Sequence, residues 1–191
     1  APVLAAIEDM TTQEDVSVEI ILSATDVDDG DILIYSASSD NENITPVVLG
    51  NVLTLTPALH FNGSATISVT ANDGTEDSNT ETFTLTVTPV NNPPIVESFR
   101  IDTNEDTPIS ITMTGSDADG DELTFTVTSD PSNGTYDGTI YTPNLDFNGS
   151  DSVTFSASDG SLSGTATVSI SVSPVNDAPV LAVITHRTTM E

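Results

Sequence analysis

Apolar and polar positions alternate in several runs of this 191-residue chain. Val16, Val18, Ile20 and Leu22 form one run, Ala65, Ile67, Val69 and Ala71 a second, and Phe83, Leu85 and Val87 a third. Successive side chains of a strand point to opposite faces, so a period of two marks a half-buried β-strand. The pattern returns at Ile109, Ile111 and Met113, at Leu123, Phe125 and Val127, at Val153, Phe155 and Ala157, and at Val168, Ile170 and Val172. Thr and Ser fill many of the outward positions. No stretch carries the 3.6-residue period of an amphipathic helix, and Asn-Gly, Asp-Gly and Pro-containing turns separate the runs. The expected fold is all-β: tandem antiparallel sandwiches of Greek-key type, with about seven short strands in each.

The chain also repeats itself, at a spacing that falls from 91 to 85 residues along its length. Gln13-Glu14-Asp15 matches Asn104-Glu105-Asp106, and Asp26-Val27-Asp28 matches Asp117-Ala118-Asp119. Asp29 is an extra residue before Gly30-Asp31, which corresponds to Gly120-Asp121. Phe61-Asn62-Gly63-Ser64 returns as Phe147-Asn148-Gly149-Ser150, and Ala71-Asn72-Asp73-Gly74 as Ala157-Ser158-Asp159-Gly160. Pro89-Val90-Asn91-Asn92-Pro93-Pro94 returns as Pro174-Val175-Asn176-Asp177-Ala178-Pro179. These landmarks divide the chain into repeat one, residues 1–91, and repeat two, residues 92–177. Residues 178–191 share Ala-Pro-Val-Leu-Ala and a later Thr-Thr-x-Glu with residues 1–14, and read as the truncated start of a third repeat. The strand partners of such a tail would be missing, so a disordered terminus is an equal expectation.

Composition narrows the partners. Thirty acidic residues face two basic ones, Arg100 and Arg187, for a formal charge of −28. So negative a chain is a poor match for nucleic acid or an anionic membrane. Regular alternation sets it apart from a disordered acidic tail. Without cysteine there is neither a disulfide nor a thiolate zinc site, and without lysine no intramolecular isopeptide crosslink. No apolar run has the length of a membrane-spanning helix, and the chain reads as a soluble, monomeric piece of a longer array.

The carboxylates collect in loops at positions that recur in both repeats. Asp117, Asp119 and Asp121 share one short loop. Two carboxylates about 4.5 Å apart repel by roughly 4 kcal/mol at an effective dielectric near 20, and by about 1 kcal/mol in bulk water. Such a cluster favours a cation, and calcium, which takes six to eight oxygens with flexible geometry, suits it best. An EF-hand is excluded by spacing, since from Asp117 the sixth position is Glu122 and the twelfth is Thr128. Glycine and glutamate are required there.

Taken in order, these motifs resemble the cadherin-like tandem repeats of large bacterial surface proteins, relatives of the cadherin extracellular repeat. Glu14 resembles the early glutamate of that repeat, Asp26-x-Asp28 and Asp117-x-Asp119 its Asp-x-Asp, and Asp73-Gly74 and Asp159-Gly160 its Ala-x-Asp-Gly. The linkers around Asn91-Asn92 and Asn176-Asp177 resemble its Asn-Asp-Asn-Ala-Pro junction. The resemblance implies cadherin- or immunoglobulin-like sandwiches in a linear array, with Ca²⁺ held between successive repeats. It implies one complete site in which Glu14, Asn91 and Asn92 meet Asp117, Asp119, Asp121 and Asp159. Asp26, Asp28, Asp31 and Asp73 would be half of an upstream site, and Glu105, Asp146, Asn176 and Asp177 half of a downstream one. The chain departs from the family where cadherins carry Asp-Arg-Glu: repeat one has His60-Phe61-Asn62 and repeat two Asp146-Phe147-Asn148. Asn92 and the prolines Pro89 and Pro174 remove further acids, which implies fewer ions and modest affinity.

The implied function is mechanical: a calcium-stiffened spacer or stalk in an extracellular or cell-surface adhesin of a bacterium, whose partners are the neighbouring repeats and a homophilic or polysaccharide surface. The alternative is a carbohydrate-binding module attached to a polysaccharide-degrading or surface protein, for which Tyr136 and Tyr141 are the only aromatic candidates, and these are expected to fill hairpin or core positions instead of an exposed platform. No enzyme is expected, because the only histidines are His60 and His186 and neither a Gly-x-Ser-x-Gly elbow nor a phosphate-binding glycine loop is present.

Overall fold

The computed structural model describes residues 1–27, 30, 32–179 and 181. The chain forms two compact units, residues 1–92 and 93–191. Eighteen strands and no helix occur among the described residues.

In the first unit, one sheet is built from β2 (Met10–Gln13), β5 (Ile34–Ser39), β8 (Gly63–Asn72) and β9 (Glu81–Thr88), in the order β2-β9-β8-β5. The second sheet contains β3 (Val18–Ile21), β6 (Ile44–Leu49) and β7 (Val52–Pro57), in the order β3-β7-β6. A short pair, β1 (Val3–Leu4) with β4 (Ala24–Thr25), completes the unit. Inward residues of both sheets share one core: Leu53 and Leu55 from β7, Ile67 and Val69 from β8, and Phe83 and Leu85 from β9. This is a two-layer sandwich in which alternation places apolar side chains inside and Thr or Ser outside.

The second unit repeats the plan strand for strand. β11 (Phe99–Asn104), β14 (Thr124–Ser129), β17 (Gly149–Ser158) and β18 (Ser163–Ser173) make the sheet β11-β18-β17-β14. β12 (Ile109–Ser110), β15 (Gly134–Tyr136) and β16 (Ile140–Pro143) make the sheet β12-β16-β15, and β10 (Ile95–Val96) pairs with β13 (Gly115–Ser116). Its core is centred on Tyr141, Val153, Phe155, Val168 and Ile170.

Two expectations change. The sheets are antiparallel except at β2–β9 and β11–β18, which are parallel. The run from Val16 to Leu22 does not begin in a strand: between β2 and β3, Asp15, whose backbone is left-handed (φ 60°), sends the chain from one sheet to the other. Asp106 (φ 55°) does the same in the second unit. Hydrophobic alternation carries no information on strand direction, so this sheet switch is invisible to it. The switch also places Val16 in the turn, where it is 49% exposed instead of buried. The tyrosines fill hairpin and core positions, as expected: Tyr141 is fully buried and Tyr136 is half-buried, its hydroxyl donating to the Ile111 carbonyl at 3.4 Å.

Candidate metal centre

Each sheet switch creates a base loop. Glu14 donates its backbone N–H to the Thr88 carbonyl at 2.9 Å, extending the parallel ladder by one residue. Its side chain is therefore fixed under the end of the sandwich, with only 3% of the residue exposed. Glu14 Oε1 accepts from Asn92 Nδ2 at 2.7 Å, while the buried Oε2 has no hydrogen-bond partner. Asn92 Nδ2 also donates to the Val90 carbonyl at 3.1 Å, and the exposed Asn91 Nδ2 lies 3.5 Å from the Asn92 carbonyl.

Beside Glu14, Asp15 Oδ1 accepts the backbone N–H of His60 at 2.8 Å, and its Oδ2 lies 3.5 Å from His60 Nδ1. Glu14, Asp15 and His60 each offer a ligand atom within 4.8 Å of the others. Asp15 escapes the sequence-based ligand set, although Glu14-Asp15 and Glu105-Asp106 repeat as whole pairs.

The base of the second unit has the same frame and a different donor set. Glu105 accepts from the Val175 backbone N–H and, at 3.2 Å, from Asn148 Nδ2, so both of its oxygens are engaged. Asp106 Oδ1 accepts the Asp146 backbone N–H at 3.1 Å. Asp106, Asp146 and Asp177 bring ligand oxygens within 4.8 Å of one another. Of the four residues expected here, Asp146 and Asp177 converge. Glu105 is committed to protein donors, and Asn176 Nδ2 bonds the Asp177 carbonyl at 3.2 Å. Burial, and then the charges of Asp146, Glu105 and Asp106, push the Asp177 carboxyl above the usual range.

At the opposite end of the second unit, Asp117, Asp119 and Asp121 converge within the same 4.8 Å, in the loop between β13 and β14. Asp117 Oδ1 accepts the Asp119 N–H at 2.8 Å, and its buried Oδ2 has no hydrogen-bond partner. Asp159 is not in this group. Its Oδ1 accepts two N–H groups, from Ser161 and Leu162, each at 2.6 Å, in the turn between β17 and β18.

In the first unit the corresponding residues Asp28 and Asp31 lie outside the described residues. Asp26 and Asp73 both face the Ala1 backbone nitrogen, which lies 3.8 Å and 3.7 Å from their Oδ2 atoms, and 3.6 Å from Glu76 Oε2. Asp73 Oδ1 also accepts the N–H groups of Thr75 and Glu76 at 2.7 Å each, and these two bonds hold its carboxyl below the usual range.

Tested against calcium, which binds through oxygen, the donor sets divide. Asp117, Asp119 and Asp121 fit, because they are all oxygen and converge around a buried carboxylate oxygen without a protein donor. Asp106, Asp146 and Asp177 fit by the same chemistry. Glu14, Asp15 and His60 fit less well, because the third donor is an imidazole nitrogen.

The profile of one family, the bacterial Ig domain, matches residues 1–86 and again residues 91–171. The chain belongs to the bacterial Ig domain family. It carries two bacterial Ig domains in tandem, a domain type that is typically non-catalytic and extracellular or surface-exposed. No curated protein matches the chain. Among solved structures, this bacterial Ig pair is similar to human protocadherin-24 EC1-2, at 18% identity over 92% of this chain and 99% of that one, with a TM-score of 0.48. It is similar to human mucin-like protocadherin EC1-2 at 18% identity, 92% and 99% coverage and a TM-score of 0.41. It is also similar to the endo-fucoidan hydrolase MfFcnA4 of glycoside hydrolase family 107, at 22% identity over 92% of this chain, with a TM-score of 0.40. The pair spans 29% of that hydrolase's length.

Proposed function

We propose that this pair of bacterial Ig domains is a calcium-stiffened spacer in a surface or secreted adhesin, acting through length and rigidity. The observation that supports it most is the convergence of Asp117, Asp119 and Asp121 around a buried Asp117 oxygen that no protein donor satisfies. A carboxylate so placed is costly without a cation, and extracellular modules can rely on calcium bound weakly because the ion is plentiful outside the cell.

In this reading Glu14, Asn91, Asn92 and Asp159 are the further calcium ligands that the cadherin-like motif order implies. The loops holding Asp26, Asp28, Asp31 and Asp73, and those holding Glu105, Asp146, Asn176 and Asp177, are half-sites that neighbouring repeats would complete. The protein partners are therefore first of all adjacent repeats of the same chain, with adhesion exerted elsewhere in the parent protein. The chain itself does no catalysis in this account.

Calcium titration followed by thermal unfolding tests the reading. At 100 times its dissociation constant, a ligand specific for the folded state stabilises by about 2.7 kcal/mol. Wild type is expected to gain stability in calcium, and Asp117→Asn with Asp119→Asn to lose that gain. An equal gain in the double variant would contradict the assignment.

A further inference from the structure

We propose that the base of the first bacterial Ig domain binds a borderline divalent cation of the zinc class through Glu14, Asp15 and His60. Three features carry the proposal, and the second of them, the histidine, sets this site apart from the other acidic loops. Glu14 is 3% exposed and its Oε2 lacks any hydrogen-bond partner, so a buried carboxylate oxygen is left for a ligand. His60 Nδ1 is likewise buried without a hydrogen bond. The ligand atoms of the three residues already lie within 4.8 Å of one another.

The spacing suits a small ion. Ligands bound at 2.0–2.1 Å in a tetrahedron stand about 3.3 Å apart, and Asp15 Oδ2 and His60 Nδ1 are 3.5 Å apart. Imidazole suits zinc, copper and nickel, whereas calcium and magnesium prefer oxygen. Three protein donors leave a fourth position for water.

The donors are also held from behind. Asn92 Nδ2 fixes Glu14 through Oε1 at 2.7 Å, leaving Oε2 for the metal. Asp15 Oδ1 clasps the His60 backbone N–H at 2.8 Å, tying the loop after β2 to the loop after β7. Such outer contacts orient metal ligands and set their affinity.

The second domain supplies an internal contrast. Asp146 occupies the place of His60, with the same left-handed backbone, φ 56° in both. His60 in place of Asp146 exchanges an oxygen donor for a nitrogen, and the third donor changes as well, from Asp177 in the second domain to Glu14 in the first. The proposal concerns the first domain alone and stands apart from the calcium reading, with which it shares the ligand Glu14 and the Asn92 that holds it.

The test is titration of the full chain with zinc chloride, by calorimetry and by ¹H–¹⁵N spectra of the imidazole rings. One equivalent of zinc should bind and shift the His60 ring nitrogens. His186→Ala should leave this unchanged, whereas His60→Ala and His60→Asp should each weaken zinc at least about tenfold. His60→Asp reproduces the residue of the second domain at the same backbone angle, so it guards against a variant that fails to fold. Wild-type zinc affinity in His60→Asp, loss of zinc in His186→Ala, or an imidazole unmoved by zinc would each overturn the proposal.

Discussion

Asn92 Nδ2 donates to Glu14 Oε1 at 2.7 Å, joining the last residue of the first compact unit to a glutamate 78 positions earlier. The second unit solves the same problem differently, with Glu105 accepting the Val175 backbone N–H. In both, a buried glutamate at the sheet switch holds the departing chain. In the first, one carboxylate oxygen remains unsatisfied by the protein.

That asymmetry predicts a separation of effects in Glu14→Gln. The amide keeps an acceptor for Asn92, and relief of the buried charge offsets the weaker hydrogen bond, so stability in chelator should change by no more than about 1 kcal/mol. The gain in stability on adding divalent metal should fall. Chemical denaturation with and without metal measures both quantities.

The core of the second unit depends on a carboxylate that has no counterpart in the first. Asp151 accepts from the Ser132, Asn133 and Ser152 N–H groups and from the Tyr141 hydroxyl, each at 2.9 Å. Tyr141→Phe leaves Asp151 with three donors and should cost about 1 kcal/mol. Asp151→Ala strands the buried hydroxyl and should cost about 2–3 kcal/mol. Denaturant midpoints of the two variants check the order.

The same tyrosine sets an alkaline limit. Burial, then the hydrogen bond to Asp151 and its charge, push the Tyr141 phenol up, and burial and Asp137 push Tyr136 up. A phenol raised on folding stabilises fully below its unfolded value of about 10 and ceases to do so as pH rises beyond it. Stability should therefore decline above about pH 10, and Tyr141→Phe should flatten that decline. Unfolding midpoints across this range give the result.

The acid limb has the opposite sign. Asp40 is held below the usual range by the N–H and hydroxyl of Thr66, and Asp137 by the N–H groups of Ile140 and Thr139. Their stabilisation is present above the unfolded carboxylate value of about 3.9 and is lost as pH falls below it. Asp40→Asn with Asp137→Asn should lower stability at neutral pH and weaken its acid dependence, as thermal unfolding between neutral pH and the acid transition would show.

Much of this fold is legible in the sequence, because alternation at Ala65 to Ala71 and at Val168 to Val172 identifies strands and their buried faces directly. What alternation omits is direction and interruption, so the parallel pairing of β2 with β9 and the exposure of Val16 emerge only once Asp15 is seen to turn the chain. The acidic loop at Asp117, Asp119 and Asp121 is legible because its ligands are adjacent in sequence. Asp15 and Asp106 are harder to read: each meets its partner, His60 or Asp146, across 45 or 40 residues, a closeness created by the backbone hydrogen bonds of the base.

Rigidity is the central claim, and small-angle X-ray scattering of the full chain in calcium and then in chelator tests it most directly. The account predicts an extended, narrowly distributed pair in calcium that becomes a broad ensemble of bent conformations on chelation, with Asp117→Asn and Asp119→Asn reproducing the chelated profile. Superimposable profiles with and without calcium would contradict it.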